Sequence, residues 1–322
     1  MPTGILTIRD LKVNYYLYEG TVRAVDGVSL HLEQDEILGL IGESGSGKTT
    51  LGRAIVKVLP SYARIVSGSI VFLGQNLVEK NETEMRRIRG AKISLIFQDP
   101  TRSLNPALKI GEQIGEVIRL HRNIRRKSEV KRMVIEILDK VGISDAERRL
   151  SCNPYELSIG MRQRVMIAMA LSAHPRLVIA DEPTSSVDVS TQAQVLELMR
   201  QLKEELKFCM ILITHNIGVA AEMCDRIGIM YAGMLVEYAD KITMLAKSRH
   251  PYSFALMKAV PFLHTSVDRL YIIRGNPPDL SRPPSGCPFH PRCDYATEVC
   301  KDKKPPLVEL GSDHMIACFH PL

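Results

Sequence analysis

The sequence predicts an α/β protein with a parallel-sheet core, and three stretches carry that reading. The first is a compact apolar strand, Glu36 to Gly42 ("EILGLIG"). It runs into the glycine-rich turn "GESGSGKT" and then a helix, "KTTLGRAIVKVL", expected to stop at Pro60. The second is a pair of near-continuous apolar strands, "RLVIAD" and "CMILIT", separated by the helical "TQAQVLELMRQLKEEL". Strands apolar on both faces and joined through a helix belong in a parallel sheet covered by helices. The third is the opening of the chain. There "GILTIRDLKVNYY", "VRAVDGVSLHL" and "SGSIVFLG" read as short strands, rich in β-branched residues and broken by Gly and Asp.

Between these, residues from about Met85 to Ala173 read as helical. In "SEVKRMVIEILDKVG", Ser128 is the expected N-cap, and Val130, Met133, Val134, Ile137, Leu138 and Val141 fall at helical spacing. Past Asp240 the periodicity decays, and "GNPPDLSRPPSGCP" holds five prolines, which excludes a helix or a central strand. A boundary near residue 240 therefore divides residues 1–240 from residues 241–322.

Composition is that of an ordinary globular protein: 322 residues, 45% hydrophobic, 24% charged, net charge +6. Such a mild basic balance does not by itself argue for nucleic acid. The N-terminus lacks a basic-then-apolar signal pattern, and no apolar run approaches the ~20 residues of a membrane span. The chain is thus expected in the cytosol, where structural disulfides are rare.

The turn "GESGSGKT" fits G-x-x-x-x-G-K-[ST] between a strand and a helix, the context its chemistry requires. Glycines let consecutive backbone N–H groups converge on phosphate oxygens, and a helix N-terminus adds its positive dipole. Gly42, Ser44, Gly45, Ser46, Gly47, Lys48, Thr49 and Thr50 are the candidate nucleotide contacts. Lys48 would reach the β- and γ-phosphates and Thr49 would ligate Mg²⁺. The strand "LVIADE" offers Asp181 to the same Mg²⁺, usually through water, and Glu182 as general base for a water attacking the γ-phosphate. Read alone, an Asp-Glu pair after a strand is more often a helix cap.

From here the sequence resembles the ATPase subunits of ATP-binding-cassette (ABC) transporters. "LSIGMRQRVMIAMAL" is similar to the family's signature segment, "IFQDP" to its glutamine loop at Gln98, and "SSVD" to its D-loop at Asp188. "ITHNIGVAAEMCDRI" resembles its switch-histidine segment at His215, and Tyr15 matches the aromatic that stacks on adenine, with Tyr16 as the alternative. Singly, Gln98 reads as a loop amide and His215 as a structural histidine; their joint order over residues 5–238 overturns those readings. The resemblance implies a P-loop ATPase with a RecA-like core, an N-terminal antiparallel β subdomain and a helical subdomain at about residues 85–165. It also implies ATP and Mg²⁺ as cofactors, with Gln98 assisting at the metal and His215 in catalysis.

The resemblance further implies a head-to-tail dimer in which Ser158 and Gly160 close over ATP held by the other subunit. Here Ile159 replaces the first of two usual glycines. A β-branched residue resists φ > 0 and fills space that glycine leaves open, so that site is expected to hydrolyse poorly. The asymmetry would suit pairing with a different ATPase subunit. The basic run "RLHRNIRRKSEVKR" reads as a solvated helix face, with anionic lipid headgroups as the alternative contact. Two transmembrane permease subunits and an extracytoplasmic binding protein are the implied partners, and the inner face of the membrane is the implied location.

The tail is similar to that of dipeptide and oligopeptide importer ATPases. It implies peptide cargo, with nickel or oligosaccharides as alternatives. A soluble cassette protein acting on DNA or ribosomes is disfavoured, because the chain has neither a long coiled-coil insertion nor a second cassette. Four of the seven cysteines gather in the tail: Cys287, Cys293, Cys300 and Cys318, spaced C-x5-C-x6-C-x17-C. Zinc sites draw ligands in closer pairs, whereas iron–sulfur clusters tolerate several spacings. A 4Fe–4S cluster stapling the extension is the expectation, helped by the resemblance, since some members with this tail carry one. Zinc with His290, His314 or His320, and two disulfides, are the alternatives.

Overall fold

The computed structural model describes residues 4–185, 187–259, 272–311 and 313–322. Ser186 of "SSVD", and Val260 and Pro261 at the end of "HPYSFALMKAVP", lie outside the described residues. In chain order, β1 (Leu6–Leu17), β2 (Gly20–Leu32) and β3 (Ile37–Ile41) lead into α1 (Lys48–Ile55), then β4 (Ala63–Phe72) and the short β5 (Gln75–Asn76). Next come α2 (Glu82–Ile88), β6 (Ile93–Ile96), α3 (Pro100–Ser103), α4 (Ile110–Arg122), α5 (Lys127–Lys140), α6 (Ala146–Arg149) and α7 (Ile159–Leu171). They are followed by β7 (Leu177–Asp181), α8 (Val189–Leu206), β8 (Cys209–Thr214), α9 (Ile217–Met223), β9 (Arg226–Tyr231) and β10 (Met234–Asp240). The tail adds α10 (Lys241–Lys247), α11 (Pro251–Lys258), α12 (Glu298–Asp302), β11 (Val308–Gly311) and β12 (His314–Ile316).

Contacts divide the chain into two units, residues 1–79 with 212–322, and residues 80–211. The first unit holds an antiparallel sheet in the order β2-β1-β4-β5. Its central strand β1 buries Leu6 and Ile8, then Leu11 and Val13. A bulge at Asp10, which sits at φ 44, resets the alternation so that both pairs face the same core. The unit's other strands run in the order β11-β12-β10-β9-β3. β3 lies parallel to β9, with Leu38 opposite Arg226 and Ile41 opposite Ile229, and both strands are buried along their whole length. β12 pairs antiparallel with β10, so the end of the chain extends this sheet.

The second unit joins a parallel pair, β6 and β7, to a set of helices. Ile110, Ile114 and Ile118 of α4, Val130, Val134, Ile137 and Leu138 of α5, and Val165 and Met166 of α7 form its buried face. Among the described residues no helix is long and apolar enough to cross a membrane.

Four local expectations need correction. The stretch from Met85 is not continuously helical, because "ISLI" forms β6. A four-residue apolar run fits a buried strand or a helix equally well, and only its partner β7 decides. α5 starts at Lys127 with Arg126 as N-cap, so Ser128 lies inside the first turn and caps nothing. α1 ends at Ile55 rather than running to Pro60. Lys57 takes φ 52, its N–H donates to the Ala54 carbonyl and the Val58 N–H to the Arg53 carbonyl, an arrangement that closes the last turn. The chain just beyond Asp240 continues into helices, α10 and α11, each started by a side-chain cap, Asp240 on the Thr243 N–H and His250 on the Tyr252 N–H.

Candidate functional site

The phosphate loop is built as its sequence requires. β3 delivers Gly42 at its C-terminal end, and α1 begins at Lys48 after Gly47 at φ 102, with no side-chain cap among the described residues. A Cβ at Gly47 would stand 2.3 Å from the Ala24 carbonyl oxygen, and one at Gly42 would stand 2.1 Å from that of Met230. Neither backbone oxygen can move aside, so these positions accept only glycine. Lys48 is buried, and its Nζ donates to the carbonyls of Gly42 (2.8 Å) and Glu43 (2.9 Å) and to Ser46 Oγ (3.2 Å). A buried ammonium in a glycine-rich loop at a helix N-terminus suits phosphate oxygens, and the residues present fit a nucleoside triphosphate.

Tyr15 is half-buried, with its hydroxyl 2.7 Å from Thr50 Oγ1 on α1 and its ring tilted against Tyr62 at 5.8 Å. Tyr15 thus stands beside the loop's helix, whereas Tyr16 is exposed. His215, in the same unit, follows β8 directly and is exposed, just ahead of α9, which Asn216 caps through the Gly218 and Val219 N–H groups.

In the second unit, Asp181 ends β7 and is buried. Glu182 follows in a left-handed conformation at φ 47, which for a side chain with a Cβ costs roughly 1–2 kcal/mol. It is kept there by Ser185, whose N–H and hydroxyl both donate to the Glu182 carbonyl at 3.2 Å. The strained turn sends the carboxylate to Gln98, whose Nε2 donates to Glu182 Oε2 at 3.1 Å. Two residues far apart in sequence, matched to separate motifs, are thereby brought into contact. Asp188 caps α8, taking the Ser190 and Thr191 N–H groups on Oδ1 at 3.0 Å and the Thr191 hydroxyl on Oδ2 at 2.7 Å. The Thr191 hydroxyl, with the backbone donors, holds this carboxyl below the usual range.

Ser158 is the N-cap of α7, accepting the Met161 N–H on Oγ at 3.2 Å. Neither Ile159 nor Gly160 has a positive φ, so the expectation that Ile159 is strained in its backbone is corrected: position 159 is an ordinary first helical residue. What remains is bulk, since the Ile159 side chain is 50% exposed. A Cβ at Gly160 would meet the Thr191 methyl carbon at 3.2 Å, which places the signature segment against the helix that Asp188 caps. Gln163, almost fully buried, donates to the Pro183 carbonyl at 2.5 Å and so ties α7 to the residue after Glu182. Gln163 was not singled out from the sequence, although a glutamine on the apolar face of a helix is a legible signal.

The seven cysteines are all free thiols. Cys287, Cys293, Cys300 and Cys318 line one recess, together with His250, His290 and His320. The Cys287 N–H donates to the Cys300 carbonyl at 2.8 Å, and the His320 N–H to Cys318 Sγ at 3.3 Å. Burial pushes the Cys287 and Cys318 thiols up to about 11, and the other thiols add to the rise. His314 does not belong to the recess. Its Nε2 is 2.8 Å from Oε1 of the fully buried Glu237, which also accepts the Arg249 and His250 N–H groups. Nε2 of His320 meets the Thr297 hydroxyl at 2.8 Å, and Nδ1 of His290 the Cys287 carbonyl at 2.9 Å. Among the described residues no three such side chains stand close enough together to hold one metal ion.

Comparison with known proteins agrees with this architecture. The family described as "ABC transporter" matches residues 25–185, and "Oligopeptide/dipeptide transporter, C-terminal region" matches residues 236–300. The chain is 43% identical to the oligopeptide transport ATP-binding protein OppD of Escherichia coli (strain K12), over 99% of this chain and 94% of that one. It is 41% identical to the dipeptide transport ATP-binding protein DppD of Bacillus subtilis (strain 168), over 98% and 94% respectively. Among solved structures, the ATP-binding cassette MJ0796, a dimer bound to ADP and Pi, superposes with a TM-score of 0.66 at 26% identity. It covers 73% of this chain and 98% of that one. A phosphate loop closed by a buried lysine, on a cassette fold of this kind, defines an ATP-hydrolysing ABC subunit. The chain belongs to the oligopeptide/dipeptide transporter family of ABC ATP-binding proteins.

Proposed function

We propose that this chain hydrolyses ATP to drive import of di- and oligopeptides through a membrane permease, as the catalytic subunit of a translocase. The observation that supports the cargo is full-length likeness to peptide transport ATP-binding proteins, including a separate match over the tail. Lys48, with the loop from Gly42 to Thr50, holds the phosphates; Tyr15 stacks on the base. Thr49, Gln98 and Asp181 would hold Mg²⁺, which would supply charge neutralisation for the phosphates. Glu182 takes the proton of the water that attacks the γ-phosphate, oriented by its hydrogen bond to Gln98. ADP is the leaving group, and His215 senses the γ-phosphate from beyond β8.

The partners we propose are a second, different ABC ATPase subunit in a head-to-tail dimer, two transmembrane permease subunits and an extracytoplasmic binding protein. The chain would sit on the inner face of the membrane. Residues 1–240 serve as the ATPase part and 241–322 as an extension.

For the extension we propose a 4Fe–4S cluster on Cys287, Cys293, Cys300 and Cys318. The support is one recess shared by four thiols and set within a proline-stiffened coil. A 4Fe–4S cluster takes four thiolates, the number this recess supplies. The imidazoles named for zinc are each hydrogen-bonded. Anaerobic purification should give a brown protein with about four iron and four sulfide per chain; a colourless protein with one zinc would refute the cluster. The transport reading is tested by reconstituting the chain with its permease, partner ATPase and binding protein in vesicles. ATP-dependent uptake of a labelled peptide is the expected result. Uptake of nickel or an oligosaccharide instead, with none of peptide, would overturn the cargo.

A further inference from the structure

The phosphate loop carries an acid. Glu43 follows the first glycine, and a carboxylate at that place repels the triphosphate the loop exists to hold. The structure gives it a counter-ion from the far end of the chain. Arg292 donates from Nη1 to Glu43 Oε2 at 2.7 Å and from Nη2 to Oε1 at 3.0 Å, a forked pair. The arginine side chain is only 5% exposed, against 27% for Glu43. Its Nε donates to the Arg274 carbonyl at 2.9 Å, Nη1 also reaches the Tyr231 hydroxyl at 3.3 Å, and the guanidinium lies 5.8 Å from that ring's centre. The guanidinium is therefore held by Arg274 and Tyr231 as well as by Glu43.

The backbone of Glu43 is held from the same quarter. Its N–H donates to the Tyr252 hydroxyl at 3.1 Å, and Tyr252 packs on Tyr231 (4.6 Å) and on Phe289 (5.3 Å). Phe289 and Arg292 both belong to the segment between Cys287 and Cys293, where Arg292 ends the short turn His290–Arg292. Both anchors of Glu43 thus come from the C-terminal part of the chain, and one of them is covalently next to a cysteine of the recess.

We propose that Arg292 is a positioning residue for the nucleotide site: by neutralising and fixing Glu43, it makes the phosphate loop's affinity for a nucleoside triphosphate depend on the folded cysteine segment. The proposal rests on reading Gly42–Thr50 as the ATP-binding loop. A lysine cannot substitute fully, because a single ammonium lacks the planar fork that occupies both carboxylate oxygens at once.

The test is titration of the purified full-length chain with a fluorescent ATP analogue and Mg²⁺. Arg292→Ala should raise Kd roughly tenfold, as expected for an uncompensated carboxylate beside bound phosphates. Adding Glu43→Gln to that variant should recover most of the loss, since the charge needing compensation is gone. Arg292→Lys should fall between, and Glu43→Gln should improve it too, which keeps the test decisive if Arg292→Ala does not fold. A Kd for Arg292→Ala within about twofold of the parent overturns the proposal. So does a double variant no tighter than the single one, because an arginine that merely holds the tail would give that result. Lys48→Ala separates the two readings. Binding that survives Lys48→Ala refutes the loop as the ATP site, whereas loss in Lys48→Ala with an unchanged Arg292→Ala refutes only the role of Arg292.

Discussion

Two helix starts in this chain are assigned to the same ligand, and they are built differently. α1 begins after Gly47, which is left-handed, and no described side chain caps it. α7 begins after Ser158, whose hydroxyl already takes the Met161 N–H, and its first residue is a half-exposed isoleucine. The start of α1 rests on a left-handed glycine, with its lysine folded onto the carbonyls of Gly42 and Glu43; the start of α7 satisfies part of its own need through Ser158. The first is proposed as this chain's own nucleotide site, and the second as part of a site completed by a partner subunit. The contrast teaches that two helix starts matched to one ligand can differ in construction, one through a left-handed glycine and a folded lysine, the other through an ordinary serine cap.

The largest expected effect breaks the first helix start. Gly47→Ala places a Cβ 2.3 Å from a backbone oxygen at φ 102, so the loop must distort. Binding of a fluorescent ATP analogue should be lost, whereas Gly160→Ala, which meets only a methyl at 3.2 Å in a helical backbone, should leave it intact. Equal losses in the two variants would erase the distinction. Next in size is Glu182→Gln in the assembled complex. ATP should still bind while turnover falls roughly 10²-fold or more, the usual consequence of removing a positioned base. Unchanged turnover would remove Glu182 from that role and with it the idea that this chain's own half-site is the working one.

How much of this is legible in the sequence differs by residue. The phosphate loop is local: strand, turn and helix are contiguous, and the glycines are dictated by neighbours that any such turn would have. The hydrogen bond between Gln98 and Glu182 was not expected, because 84 residues separate them and no local pattern links them. Asp188 as the cap of α8 was readable from an acid two and three residues ahead of Ser190 and Thr191. The Arg292 fork on Glu43 was not, since its partners lie 249 residues apart and nothing in either segment marks the other. The strand β6 was hidden for a related reason: four apolar residues do not choose a period, and the choice is made by β7. Ile159 is not strained, because a glycine at that place in the motif need not mark a positive φ when the segment is helical.

A smaller effect sharpens the second helix start. Ser158→Ala removes the side-chain acceptor of the Met161 N–H and should destabilise the protein by about 1 kcal/mol in urea unfolding, the usual worth of a serine N-cap. ATP binding by the isolated chain should not change, because the donors of α7 serve a different half-site from those of α1. A weaker Kd in that variant would mean that α7 contributes to the chain's own nucleotide site.

The smallest effect is expected from Ile159→Gly, and it decides what the second helix start is for. The backbone there is already helical, so glycine relieves no strain; a glycine at the first helical position costs only a fraction of the roughly 1 kcal/mol it costs inside a helix. The substitution removes a side chain that is 50% exposed and stands beside the segment assigned to the other subunit's ATP. If that side chain only obstructs, turnover of the assembled complex should rise or stay level, and the two ATP sites should become more alike in single-turnover measurements. A fall of about tenfold, equivalent to roughly 1.4 kcal/mol, would mean that Ile159 makes a contact the closed state depends on. In that case the difference between α1 and α7 would reflect two kinds of working site, and the reading of α7 as an impaired lid would be wrong.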